Sequence, residues 1–108
     1  MILTTTNSIE GFKISDYKGI VTGIAYESSY KYKGTKTSFK DMFNMTKYYE
    51  AFASGIEEMK ENAFQKLQEN AKNLGANAVV GIKVDIEPLA SSYTVIISVT
   101  GTAVVVTE

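Results

Sequence analysis

The stretch Ala71-Lys-Asn-Leu-Gly-Ala-Asn-Ala-Val-Val-Gly81 joins a helical pattern to a strand pattern through one glycine. Gly75 follows the last periodic apolar residue, at the position where a left-handed conformation ends many helices and where glycine carries no Cβ penalty. After it, apolar residues alternate with polar ones, which predicts a strand with one buried and one charged face. The apolar residues are Val80, Ile82, Val84 and Ile86, and the others are Gly81, Lys83, Asp85 and Glu87. Pro88 cannot donate to a β-ladder and is expected to close this strand.

Upstream of Gly75, apolar residues recur at spacings of three and four between Tyr48 and Leu74. This periodicity predicts one long amphipathic helix. Its apolar face consists of Phe52, Ile56, Met59, Ala63, Leu67, Ala71 and Leu74. A shorter stripe predicts one or two further helical turns just before it, and this stripe is formed by Phe39, Met42, Phe43 and Met45.

Strand patterns flank the helix on both sides. Residues Ile14 to Tyr26 alternate between a face of Ile20, Thr22, Ile24 and Tyr26 and a face of Val21, Gly23 and Ala25. The second face consists of small residues, which suits the close approach of a helix or of another backbone. A short β segment is expected over Ile2 to Thr6, and Tyr93 to Val106 predicts a last strand that forms an antiparallel hairpin with the one before it. The chain is therefore predicted to be one α+β domain over residues 1–108, with an antiparallel sheet packed on one long helix in the order β-α-β-β.

The last strand has apolar residues on both faces. Val95, Ile97, Val99, Ala103 and Val105 lie on one side, and Ile96, Val104 and Val106 on the other. One helix covers only one face of a sheet, so a second copy of the chain is expected to cover the remainder, in a homo-oligomer. The alternative is that the short helix around Phe43 shields the second face within the same chain.

Composition excludes several classes of function. The 108 residues carry a net charge of −1 and contain no cysteine and no histidine. Disulfides, thiolate or imidazole metal sites and the familiar catalytic triads are therefore excluded, and no phosphate-cradling loop or dinucleotide fingerprint is present. No signal peptide or apolar run of bilayer length is found. We expect a cytoplasmic protein that is not an enzyme, with no catalytic residue and no cofactor to identify.

Carboxylates are the remaining candidate metal ligands. Glu57 and Glu61 lie one helical turn apart, and Asp85 and Glu87 share one strand face. Oxygen donors of this kind hold hard cations weakly. The alternative interpretation is that both pairs simply belong to solvated surfaces.

The segment 30–49 interleaves lysines with tyrosines. Such a pattern is found on anion- and nucleic-acid-binding surfaces, where lysine neutralises phosphate and rings stack on bases. The chain has no arginine, the preferred bidentate ligand of phosphate and guanine, and this argues against nucleic acid. The alternative is a lysine-rich loop.

Two separated parts of the chain together resemble one known family. The opening Thr4-Thr-Thr, Glu10-Gly11 and Tyr17-Lys-Gly-Ile-Val-Thr-Gly23 is similar to the N-terminal pattern of the YbjQ-like bacterial proteins. The later Ala71 to Ile82, Asp85 and the closing Val99-Thr-Gly-Thr-Ala-Val-Val105 resemble the C-terminal half of the same family. The match covers nearly the whole chain.

This resemblance implies a dodecin-subunit-like α+β subunit that assembles into a homopentameric ring, in a family described as putative heavy-metal-binding with no established activity. The chain departs from the family pattern in two ways. Met42 to Tyr49 stands where members more often have a glycine- and arginine-rich segment, and neither cysteine nor histidine is present to bind a soft metal. The resemblance transfers no catalytic or ligand residue, and the small ligand, if there is one, is not identified by it.

Overall fold

The computed structural model describes residues 1–27, 45–89 and 94–108, and the side chains of residues 1–26, 55–88 and 95–108. Four strands and one helix follow one another along these residues. They are β1 (Ile2–Leu3), β2 (Lys13–Glu27), α1 (Met45–Asn73), β3 (Ala78–Leu89) and β4 (Thr94–Thr107). The short helix expected around Phe43 lies outside the described residues, apart from Met45, where α1 begins.

The strands form one mixed sheet in the order β1-β3-β4-β2. The three long strands are antiparallel, and β1 adds a short parallel pairing with β3 through Ile2–Ala78 and Leu3–Val79. The predicted α+β fold with one long helix on the sheet is confirmed. The antiparallel arrangement is correct for the long strands, whereas the parallel β1 was not anticipated.

The helix ends as the sequence predicts. Gly75 adopts φ +82°, and the N–H of Gly75 donates to the carbonyl of Lys72 at 2.9 Å. The N–H of Ala76 donates to the carbonyl of Ala71 at 3.0 Å, and both residues are buried in the core. These two bonds and the apolar contact define a Schellman motif, which satisfies the last carbonyls of α1. Leu74, which the periodicity places on the apolar face, is instead exposed beside the cap.

Small residues on β2 allow α1 to lie almost in contact with the sheet backbone. Met59, Ala63, Leu67 and Ala71 are buried from the helix side, and Val21 and Ala25 from β2. Between these two sits Gly23, where an added Cβ would overlap the carbonyl oxygen of Ala63 and lie 2.6 Å from the N of Leu67. The predicted close approach of a helix to this face is confirmed, and it fixes the position of α1 on the sheet.

A β-bulge in β3 changes which residues share a face. Val80 opposes Thr102 and Lys83 opposes Thr100, so that Gly81 and Ile82 together oppose one residue of β4. Gly81 has φ +63°, as glycine-containing bulges of this type require. The predicted single face of Val80, Ile82, Val84 and Ile86 is therefore wrong, because the extra residue moves Val80 to the opposite side of the sheet.

Two apolar clusters result from this bulge. Val79 and Ile82 belong to the cluster under α1, together with Ile97, Val99 and Ala103 of β4. The second cluster lies on the face away from α1 and contains Ala78, Val80, Val104 and Val106, against which Ile9, Phe12 and Ile14 pack. The apolar residues predicted on both faces of β4 are thus confirmed, and the N-terminal residues cover one end of the second face.

The ends of β1 and β3 also differ from expectation. β1 stops at Leu3 instead of Thr6, because the following residues bond to the bulge: Ile82 N–H donates to Thr4 O at 3.1 Å and Gly81 N–H to Thr6 O at 2.8 Å. β3 continues past Pro88 to Leu89. Beyond its pairing with β1 the described part of β3 has one unpaired side, and such an edge tolerates proline.

Replacing Gly75 by alanine is expected to destabilise the protein by about 1 to 2 kcal/mol, because alanine resists the left-handed conformation. The nearest atom to an added Cβ is Lys18 Cε at 4.0 Å, so the loss would arise from the backbone and not from a clash. Asparagine tolerates this conformation better, and Gly75→Asn should lose less. Urea unfolding of both variants measures the difference; equal losses would contradict the capping role.

Gly23→Ala is expected to destabilise the protein by about 3 kcal/mol or more, since overpacking against a backbone cannot be relieved by rotating a side chain. Gly19→Ala is the matched control in the same strand, because no atom lies within 4 Å of its added Cβ and only backbone strain at φ +126° remains. Thermal unfolding should show a larger loss for Gly23→Ala. A smaller loss at Gly23 than at Gly19 would mean that α1 is not held as tightly as described.

Candidate interaction surface

From Tyr17 to Tyr26, the face of β2 turned away from α1 is largely apolar and exposed among the described residues. Tyr17, Ile20, Ile24 and Tyr26 expose 69%, 79%, 49% and 72% of their surface. They share this face because they pair with Val104, Thr102, Ser98 and Ile96 of β4. These β4 residues lie on the side of the sheet away from the residues that contact α1. We call the four β2 residues the open face. Contiguous exposed apolar side chains of this kind mark interaction sites in folded proteins.

A second uncovered apolar strip lies on β3, on the same side of the sheet as α1. Val84 and Ile86 oppose Val99 and Ile97 of the core, yet they are 37% and 46% exposed. The reason is the position of the helix, which packs mainly on β2, less on β4 and barely on β3. The described residues therefore form two different apolar strips, one on each side of the sheet.

The shape of the protein explains why the described residues leave these strips exposed. The radius of gyration is 17.6 Å, against about 13 Å for a compact domain of this length. The principal extents are 58 × 25 × 16 Å, which correspond to long strands in a thin two-layer body. A body of this shape has too little depth to bury both faces of its sheet.

Side chains of α1 reach over the outer edge of β2. Lys66 Nζ donates to the carbonyl of Ile24 at 2.9 Å, and Asn70 Nδ2 donates to the carbonyl of Thr22 at 2.8 Å. Beside them, a groove of about 550 Å³ is lined by Ala25, Tyr26, Asn62, Gln65, Lys66 and Glu69. Sequence reasoning missed the roles of Lys66 and Asn70, because their spacing of four is ordinary on a wet helix face and their partners are backbone atoms.

The four carboxylates predicted as weak metal ligands are exposed, and the two pairs lie on opposite sides of the sheet. Glu57 and Glu61 belong to α1, on one side of the sheet. Asp85 and Glu87 oppose Ser98 and Ile96 and so lie on the other side. In the part of the chain that the structure describes, no three carboxylates come close enough to hold a metal ion. The Lys- and Tyr-rich segment 30–49 lies outside the described residues, apart from the backbone at the start of α1.

One ion pair lies beside the helix end. Lys18 Nζ is 2.9 Å from Asp16 Oδ2, and the hydrogen bond and the charge of Lys18 lower the pKa of the Asp16 carboxyl below its usual value. Both side chains are accessible to solvent, where such pairs contribute little to stability. This pair is a surface feature and does not resemble a catalytic constellation. No described helix is sufficiently long and apolar to cross a bilayer.

The fold is a small α+β domain with one helix on a mixed sheet, and its described residues include two exposed apolar strips. The chain belongs to the YbjQ family, described as "putative heavy-metal-binding", which matches residues 1–107. It is 39% identical over 108 residues to a UPF0145 protein of Clostridium kluyveri, covering 98% of this chain and 99% of that protein. A UPF0145 protein of Carboxydothermus hydrogenoformans is 36% identical over 104 residues, covering 96% and 94%. The predicted family is confirmed.

The fold is shared with a solved structure of low sequence identity. A crystal structure of a protein of unknown function from Pediococcus pentosaceus, described as a DUF74 family member, superposes with a TM-score of 0.63 at 17% identity. The superposition covers 99% of this chain and 98% of the other. At this identity the likeness concerns the fold alone.

The donor set of this chain does not fit a soft heavy metal. Thiolate and imidazole ligands are lacking in the whole sequence, and no three of the described carboxylates lie close enough to share a metal ion. We therefore expect that adding Zn²⁺ or Cd²⁺ leaves the melting temperature unchanged and that native mass spectrometry finds no stoichiometric metal. Should metal be retained, the Glu57→Gln/Glu61→Gln and Asp85→Asn/Glu87→Gln pairs would show whether these carboxylates hold it, and the interpretation above would be wrong.

Proposed function

We propose that the protein is a non-enzymatic, self-assembling binding or scaffold protein, whose working surface is formed by several copies. The open face of β2 is the observation that supports this proposal. Four large side chains, two of them tyrosines, stand uncovered along a strand of 15 residues. Burying apolar area contributes about 25 cal/mol per Å², which gives a second copy a substantial driving force to cover them.

The second strip supports a head-to-tail arrangement of copies. In a two-fold dimer the same patch meets itself, whereas a head-to-tail contact joins two different patches and closes into a ring when the rotation allows. The open face and the strip of Val84 and Ile86 are different patches on opposite sides of the sheet. The family resemblance favours five copies in such a ring.

The tyrosines and hydroxyls of the open face suit an interface that is partly polar. Thr22 Oγ1 and Thr100 Oγ1 lie 3.5 Å apart across β2 and β4, in the middle of the apolar row. Tyr17 and Tyr26 stand at its ends, and tyrosine is enriched at protein interfaces because its ring is apolar and its hydroxyl finds a hydrogen-bond partner. The composition of the face therefore agrees with association between folded copies.

The assembly is tested by light scattering after gel filtration at micromolar concentration. We expect a mass several times the 11.8 kDa of one chain, and five times that value for a pentamer. An Ile20→Lys/Ile24→Lys variant should lower this mass, because an ammonium group buried in an apolar contact has no partner. Circular dichroism checks that the variant remains folded.

Asn73→Lys is the matched control, since it introduces the same ammonium group at an exposed position of α1 outside the open face. It should retain the mass of the natural chain. A monomeric natural chain, or an Ile20→Lys/Ile24→Lys variant that assembles like the control, would overturn the proposal. In the first case the binding surface would have to be sought on the single subunit.

A further inference from the structure

The outer edge of β2 has the properties of a site for strand addition. β2 is the last strand of the sheet in the described residues, and only its inner side pairs with β4. Residues of an outer strand alternately direct their backbone groups inward and outward, and the outward groups form a template for another strand. The run Ile20-Val-Thr-Gly-Ile-Ala-Tyr26 is rich in residues with high β-propensity and carries no charge. Without protection, such an edge is a pairing hazard.

Two side chains of α1 donate hydrogen bonds to backbone carbonyl groups that point outward from this edge. Lys66 bonds the carbonyl of Ile24 and Asn70 bonds that of Thr22, at 2.9 and 2.8 Å. The spacing explains why both bonds form together. Four residues of helix rise about 6 Å, and two residues of strand advance about 6.6 Å, so that α1 places one donor beside each outward carbonyl.

A further strand could add here only by displacing both donors. Its backbone N–H groups would need the same two carbonyl oxygens that Lys66 and Asn70 hold. The ammonium group of Lys66 adds a charge at the edge, which natural sheets use to discourage edge-to-edge pairing. The next residue in this row of α1 is Asn62, which lies with Tyr26 in the groove at the end of the occupied stretch.

We propose that Lys66 and Asn70 close the β2 edge to strand addition by a second copy of the chain, so that copies do not associate through the backbone of this edge. The second copy is the partner to consider because it carries the same uncharged β-rich run at an equally long edge. The role assigned to Lys66 and Asn70 rests on the self-assembly proposed above, since these residues would determine whether associating copies use the β2 edge or the apolar strips.

The test is a Lys66→Ala/Asn70→Ala variant, compared with Lys72→Ala/Asn73→Ala. The control removes the same two residue types from exposed positions of the same helix. Light scattering over a concentration series should show, for the first variant, a mean mass that rises with concentration to at least about twice that of the natural chain, because the freed β2 edges of two assemblies can pair with each other. The control should keep the mass of the natural chain.

Hydrogen exchange distinguishes strand addition from other association. In the first variant, amides of peptides covering residues 17–26 should gain protection as concentration increases, because outward N–H groups of β2 become bonded. Lys66→Met/Asn70→Leu removes the donors and keeps long side chains over the strand. It should show the same increase in mass and in protection as the alanine variant, and it serves as a second test if the alanine variant does not fold. A single Lys66→Arg variant retains a donor at position 66 and keeps Asn70, so it should have the mass of the natural chain.

Folded variants that keep the natural mass at all concentrations would overturn the inference. Larger species without added protection over residues 17–26 would also overturn it, since they would form elsewhere. A monomeric natural chain would refute the self-assembly proposed above. Even then, an increase in mass and in amide protection over residues 17–26 in the double variant would establish that Lys66 and Asn70 prevent strand addition at the β2 edge. The two proposals can therefore fail separately.

Discussion

The contact between Gly23 and the backbone of α1 is the constraint on which the arrangement of this domain depends. With no side chain at Gly23, the carbonyl of Ala63 and the N of Leu67 lie against the strand itself. This contact places α1 over β2, at one side of the sheet, and so brings Lys66 and Asn70 to the strand edge. The same placement leaves Val84 and Ile86 of β3 without cover.

Much of this arrangement can be predicted from local patterns. The stripe of Ala63, Leu67 and Ala71 predicts the buried face of α1, and the small residues of β2 predict where the helix lies. Gly75 predicts the end of the helix because the left-handed conformation of this one residue determines the cap. Each of these features depends on residues close in sequence, or on a side-chain size that is visible in the sequence itself.

Features that depend on the register between distant strands could not be predicted in this way. The alternation of apolar residues after Val80 reads as one face, and only the pairing with β4 shows that Gly81 adds a residue and moves Val80 to the other side. Likewise, Lys66 and Asn70 resemble any polar residues of a wet helix face until the outward carbonyls of Thr22 and Ile24 are located. The two candidate carboxylate pairs lie on opposite sides of the sheet for the same reason, because strand register places Asp85 and Glu87 on the side away from α1.

The bulge in β3 has a counterpart in β4 that links two distant positions of the sequence. Gly101 lies opposite the extra residue, and a Cβ there would meet Val79 Cγ1 at 2.6 Å and Ile82 Cγ1 at 3.0 Å. The space at Gly101 is needed because the bulge at Gly81 brings these side chains together. Substitutions at the two glycines are therefore expected to be epistatic. In a chain without the bulge at Gly81, position 101 would no longer need to be glycine. Among relatives the two positions should covary, although twenty residues separate them.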